Sequence, residues 1–216
     1  MRALAAALDR FYGPLAPPPR DLFGFVAWEI VSARTLPARR DIGWAALKRL
    51  PALTPDALFR AAKTDLLQAL AMLPGRDERI DELRAASGHM RRHRDLEAVI
   101  SGPLRGAVRA LADVPGLTPS ARVRALLVVG GHYVSPVDEG IVRVVARLDG
   151  LTHPRPRGLR RLTRSRLGAG CAGDLEQLRH VTLVLGHHAG HACAETAPHC
   201  GVCPLATGCR FAGAAA

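Results

Sequence analysis

Cys193-Ala194-Glu195-Thr196-Ala197-Pro198-His199-Cys200-Gly201-Val202-Cys203-Pro204-Leu205-Ala206-Thr207-Gly208-Cys209 is the most informative run in this chain. Its four cysteines are spaced C-x6-C-x2-C-x5-C. Four thiolates on one short loop can wrap a single metal centre. A [4Fe–4S] cluster takes one thiolate per iron, and the count suits it. Zinc and disulfides are the alternatives. Zinc loops usually pair two C-x2-C knuckles or add histidines at fixed spacing, and only Cys200 and Cys203 form such a knuckle. Two disulfides would need an oxidising compartment, to which nothing in the chain points.

The remaining sequence bounds the setting of that loop. At 216 residues the chain can form one sizeable core or two small lobes. Its net charge of +11 favours a polyanionic partner, nucleic acid or a membrane surface. The basic residues are almost all arginine, with lysine only at positions 48 and 63. No apolar run approaches the ~20 residues of a membrane span. The stretch Met1 to Arg10 is interrupted early by Asp9 and reads as an amphipathic helix, not a signal peptide. A cytoplasmic, DNA-associated protein is the expectation.

Apolar residues recur at three- and four-residue intervals nearly throughout, punctuated by Pro, Gly and Ser, which predicts an all-α chain. Helices are expected to begin near Ala3, Asp21, Trp44, Pro55, Arg76, Leu96, Pro119, Asp138, Leu159 and Asp174. Arg155 to Arg166 carries six arginines. Such a run is either a solvated face or, in a DNA-binding protein, a phosphate contact.

Val114-Pro115-Gly116-Leu117-Thr118-Pro119-Ser120 lies between two helical stretches. Gly116 permits a tight turn, Thr118 is a good N-cap and Pro119 a good first helical residue. The helix that follows offers free backbone N–H groups and a positive dipole end, which suit a phosphate. Further on comes Val137-Asp138-Glu139-Gly140-Ile141-Val142-Arg143-Val144. Asp138 is well placed to cap a helix.

The hairpin, the aspartate and the cysteine loop together resemble the endonuclease III and adenine DNA glycosylase family. These are helix–hairpin–helix base-excision enzymes. The resemblance runs over about residues 20–210. It implies a two-lobed all-α fold with DNA in the groove between lobes. One lobe would span 21–133; the other would combine 1–20 with 134–216. It also implies a [4Fe–4S] cluster on Cys193, Cys200, Cys203 and Cys209. Asp138 matches the catalytic carboxylate of the V-D-x-x-(I/V)-x-R-V segment and would face Ser120. Where bifunctional members carry a Schiff-base lysine, this chain has Ser120, which cannot form an iminium. A monofunctional glycosylase is therefore expected. An endonuclease III-like pyrimidine glycosylase with weak lyase activity, or a non-catalytic binder of abasic or distorted DNA, are the alternatives.

Glu29 is the only charged residue between Leu22 and Ala33. An unpaired buried carboxyl favours its neutral form and could protonate a departing base; a salt bridge to an arginine is the alternative. The position resembles the glutamate general acid of the adenine and mismatch thymine branches. Arg34 falls where endonuclease III places the glutamine that enters the gap of the flipped base. Met72 and Leu73 fall at the second wedge loop. With Gly116, Thr118 and Arg122 they form the expected DNA contacts. The expected partner is double-stranded DNA carrying a lesion or mismatch, with single-stranded DNA also possible, and the protein is expected to act as a monomer near the nucleoid. Two departures stand out: Thr118 replaces the hairpin's second glycine, and Ala194 to His199 lack the basic residues usual in the cluster loop.

Overall fold

The computed structural model describes residues 1–35 and 37–214. Among them are thirteen α-helices and no strand, so the all-α expectation holds. They are α1 (Arg2–Tyr12), α2 (Leu22–Ser32), α3 (Pro37–Leu47), α4 (Pro55–Arg60), α5 (Lys63–Ala69), α6 (Arg76–Arg92), α7 (Leu96–Ser101), α8 (Leu104–Ala112), α9 (Pro119–Val128), α10 (Glu139–Asp149), α11 (Pro156–Cys171), α12 (Leu175–His191) and α13 (Arg210–Ala214). The chain divides into two compact units, Pro18–His132 and Met1–Pro17 with Tyr133–Ala216. No described helix is long and apolar enough to cross a membrane.

The unit Pro18–His132 is built on α2. Nine of its eleven residues are buried, so it is apolar on nearly every side. Asp21 caps it by accepting from the Gly24 N–H at 2.7 Å. The helix packs against α3, α6 and α9. Phe25, Val26 and Ile30 are fully buried, each contributing about 1.5–3 kcal/mol relative to exposure. Helix α3 begins at Pro37, seven residues before the predicted start at Trp44. Proline is compatible with a first helical turn, and the charged Arg39-Arg40-Asp41 run masked the periodicity. Three short helices, α5, α8 and α13, were not anticipated. Gly102 and Pro103 separate α8 from α7, where the apolar spacing alone runs on.

In the other unit, α10 packs on α11 and α12, and α1 lies against α12. Gly140 allows the close approach of α10 to α12, since a Cβ there would meet the Ala189 methyl at 2.8 Å. Helix α11 starts at Pro156, not Leu159, again with proline in its first turn. Cys171 is fully buried on α11, where it packs as a core residue, and burial pushes its thiol up.

Candidate functional site

The hairpin is made by one glycine and one cap. Gly116 has φ of +78°, in the left-handed region. A Cβ there would also stand 2.7 Å from Ile30 Cδ1. Conformation and space both require glycine. Thr118 then caps α9, its hydroxyl accepting from the Ala121 N–H at 3.2 Å, with Pro119 as first helical residue. Gly116→Ala is expected to destabilise the protein by about 1–3 kcal/mol, through strain at positive φ and the clash with a core isoleucine. The check is a lowered urea midpoint with an unchanged m-value.

An open depression of about 960 Å³ lies beside this hairpin, within the same unit. Its wall includes Gly116, Thr118, Glu29, Arg34, Pro74 and Arg124. Glu29 is 7 % exposed, as its apolar helix implies. It is not solitary. Arg124, on α9, donates to both its oxygens, Nε to Oε1 at 2.7 Å and Nη2 to Oε2 at 2.7 Å. Of the two readings of Glu29, the salt bridge to an arginine is present: both its oxygens are acceptors, and protonating a base would first require opening this pair. Arg124 is itself 29 % exposed, so removing one partner costs less than the ~3–5 kcal/mol of a fully buried pair.

Arg34 sits at the rim with φ of +48°, a strained conformation for a side chain with a Cβ. Arg79 on α6 explains how this is tolerated. Its buried guanidinium donates to the carbonyls of Ile30, Val31 and Ala33, to the Thr35 hydroxyl and to the Pro74 carbonyl. One side chain thus satisfies the end of α2 and ties residues 33–35 to the loop at Pro74. Met72 in that loop is exposed, at 55 %. Leu73 is not: it is 4 % exposed and packs against Gly43, where a Cβ would meet Leu73 Cδ1 at 2.8 Å. The expected DNA contact at Leu73 is therefore replaced by a core contact. Arg122 is half-buried on α9, with its Nε enclosed and unpartnered.

Asp138 is in the other unit, where it caps α10. Its Oδ1 accepts from the Ile141 N–H at 2.9 Å. The same helix carries Arg143 and Arg147 to the cysteine loop. Arg143 donates to the Cys193 and Ala189 carbonyls, both at 2.9 Å. Arg147 donates to the Ala194 carbonyl at 2.7 Å and the Glu195 carbonyl at 2.8 Å, and reaches Cys193 Sγ at 3.4 Å. Its guanidinium also lies over the Phe211 ring at 4.5 Å.

Cys193, Cys200, Cys203 and Cys209 all line one cavity, walled otherwise mainly by apolar groups such as Val144, Leu148 and Leu205. Among the described residues no three His, Cys, Asp or Glu side chains form a group that could hold a metal ion. Zinc needs four ligands converging on one point at about 2.3 Å. A cluster takes one thiolate per iron, so its ligands stand around it. Four cysteines around one cavity fit the second requirement. Burial, and then repulsion from the other three cysteines, pushes the Cys203 thiol up, against a backbone hydrogen bond at Leu205. Positive partners for thiolates are therefore useful here, and Arg147 is one.

His188 is buried on α12 and links two groups. Its Nδ1 lies 2.8 Å from the Tyr12 hydroxyl and its Nε2 lies 3.6 Å from Cys203 Sγ. One tautomer satisfies both contacts: Tyr12 O–H donates to Nδ1, and Nε2–H donates to sulfur. Burial, and then His191, lower the His188 pKa, which keeps the ring neutral. Burial and then the nearby cysteines push Tyr12 up to about 12, which keeps its proton. No local sequence signal marks this pairing.

No family model matches the sequence, and no curated protein matches it. Solved structures do match. A thermostable thymine-DNA glycosylase is 16% identical, with 99% of this chain and 96% of that one covered and a TM-score of 0.68. A trapped endonuclease III–DNA covalent intermediate is 15% identical over 99% and 96% of the two chains, with a TM-score of 0.70. A non-covalent endonuclease III–DNA complex is 14% identical over 99% and 95%, also at 0.70. Likeness at such identities speaks for the fold: this chain has the endonuclease III-like helix–hairpin–helix fold along essentially its whole length.

Proposed function

We propose that this chain is a base-excision DNA glycosylase that hydrolyses the N-glycosidic bond of a flipped damaged or mismatched base and lacks efficient lyase activity. The observation that supports it most is the placement of a capped hairpin and a capped aspartate, in that order, on an endonuclease III-like fold. Leaving of the base builds oxocarbenium character on the sugar. A carboxylate fixed at the start of a helix, as Asp138 is through Oδ1, can stabilise that charge or activate water. The start of α9 offers backbone N–H groups and its positive dipole end to a DNA phosphate, with Arg122 one turn along. Arg34 and Met72 would enter the gap left by the extruded base. Glu29 serves this reading as the anchor of Arg124 and α9, not as the proton donor.

The lyase reading turns on amines. Ser120 occupies the hairpin position where a Schiff-base lysine would stand. Lys63 pairs with Asp77 at 3.3 Å, and Lys48 lies over the Trp44 ring at 5.7 Å. Neither lines the depression beside the hairpin. Cys193, Cys200, Cys203 and Cys209 would hold a [4Fe–4S] cluster, whose iron–sulfur bonds, when it is bound, tie the carboxyl-terminal loop together. The test is a panel of duplex and single-stranded oligonucleotides bearing lesions and mismatches, incubated with and without borohydride. Base release without a trapped adduct is expected. An efficient covalent adduct on abasic DNA would overturn the monofunctional reading, and no release across the panel would favour a binder.

A further inference from the structure

Helix α11 carries its charge in a way that its own stability does not explain. From Gly150 to Gly173 there is no Asp or Glu, while Arg155, Arg157, Arg160, Arg161, Arg164 and Arg166 fall in that span. The first turn of α11 has no acidic residue, and its last turn has no basic one. Cations near a helix start oppose the dipole, so this distribution is unfavourable for the isolated helix.

The arginines are also sorted by face. At 100° per residue, Arg157, Arg160, Arg161 and Arg164 fall within an arc of about 100°, whereas Arg166 points to the opposite side. Arg166 is engaged, its Nε 2.6 Å from Asp149 Oδ2. On the clustered face, Arg160 touches Glu139 at 3.3 Å. Arg157, Arg161 and Arg164 are exposed and make no ion pair or side-chain hydrogen bond among the described residues. Buried Thr163 and Leu167 anchor the helix along a stripe that adjoins this face on the Arg160 side. The face is therefore rigidly presented and unneutralised. Through Arg160 and Glu139 it lies next to the Asp138 cap.

We propose that this face of α11 is a binding surface for the phosphate backbone of double-helical DNA. It would take over the role that the cysteine loop, with no Arg or Lys from Ala194 to His199, cannot perform. The inference rests on the nucleic-acid reading above and adds a second surface to the hairpin. Arg157 to Arg164 spans about 10 Å of helix axis, comparable to the axial rise of about three phosphates on one strand. The contacts go to phosphate, so they set affinity and orientation without reading sequence.

The test is a triple variant, R157Q/R161Q/R164Q, chosen because glutamine is a good helix former and all three sites are exposed. Binding of an undamaged fluorescent duplex is measured by anisotropy across a sodium chloride series. The slope of log K against log salt is expected to fall in magnitude by roughly 2–3, at about 0.9 per lost phosphate contact. R166Q, on the opposite face, should leave it unchanged. Wild type that binds with a slope equal to the triple variant's would overturn the α11 surface alone. An R166Q effect as large per charge as the triple variant's would also overturn it, by showing net charge and not a face. Wild type with no duplex binding would bring down the nucleic-acid reading, and this inference with it.

Discussion

Asp138→Asn is expected to lower the single-turnover rate of base release by roughly 10²- to 10⁴-fold while leaving the fold intact. The two halves of that expectation come from different atoms. Asparagine caps a helix about as well as aspartate, and its amide oxygen can take over the bond from the Ile141 N–H. The start of α10 and the placement of Arg143 and Arg147 are thereby kept. What disappears is the negative charge, with its ability to stabilise a developing cation or to take a proton from water. Circular dichroism melts, DNA affinity and single-turnover kinetics should be measured on one preparation. A variant that releases base at the wild-type rate would sink the catalytic assignment. One that is slow but also unfolded would return Asp138 to a purely structural role.

Losing one cluster thiolate should have the largest effect on composition and stability. Purified wild type is expected to carry about four irons per chain and a broad absorption band near ~400 nm, as thiolate-ligated clusters do. Cys200→Ala should lose most of both and unfold at lower urea, because metal–ligand energy is folding energy for a loop this short of apolar contacts. Cys200, Gly201 and Val202 are not buried, and the hydrogen bonds of Arg143 and Arg147 hold only the start of the loop, Cys193 to Glu195. Cys171→Ala is the control, since that cysteine is buried on α11 away from the loop. It should keep its iron, at some cost in packing. Wild type containing zinc and no iron would overturn the cluster, and equal iron loss in both variants would overturn the ligand assignment.

Residues whose role is set by neighbours in the chain were legible in the sequence. Gly116, Thr118 and Pro119 act within one turn, and Asp138 caps a residue three positions on. The cysteine spacing is local in the same way. Arg79 and Arg124 were not legible. Arg79 stands in the run Arg76-Asp77-Glu78-Arg79, which reads as a solvated face, yet its acceptors Ile30, Val31 and Ala33 are 46 to 49 residues away. Arg124 meets Glu29 across 95 residues, and Tyr12 meets His188 across 176. Periodicity predicts which side of a helix is buried, not which polar group will be found there. Leu73 shows the converse. A position matched by motif was taken for a contact, and Gly43 supplied the space that buried it.

The Tyr12–His188–Cys203 chain has a consequence for the order in which the molecule can assemble. Residues 18–132 form a unit from one continuous stretch, which can close as soon as it emerges from the ribosome. Helix α1 is synthesised before that unit but packs on α12, and its tyrosine finds its partner only after residue 188 exists. Until then its apolar face has no place to dock. A segment made before residues 18–132 thus settles after them, once α12 supplies its docking face.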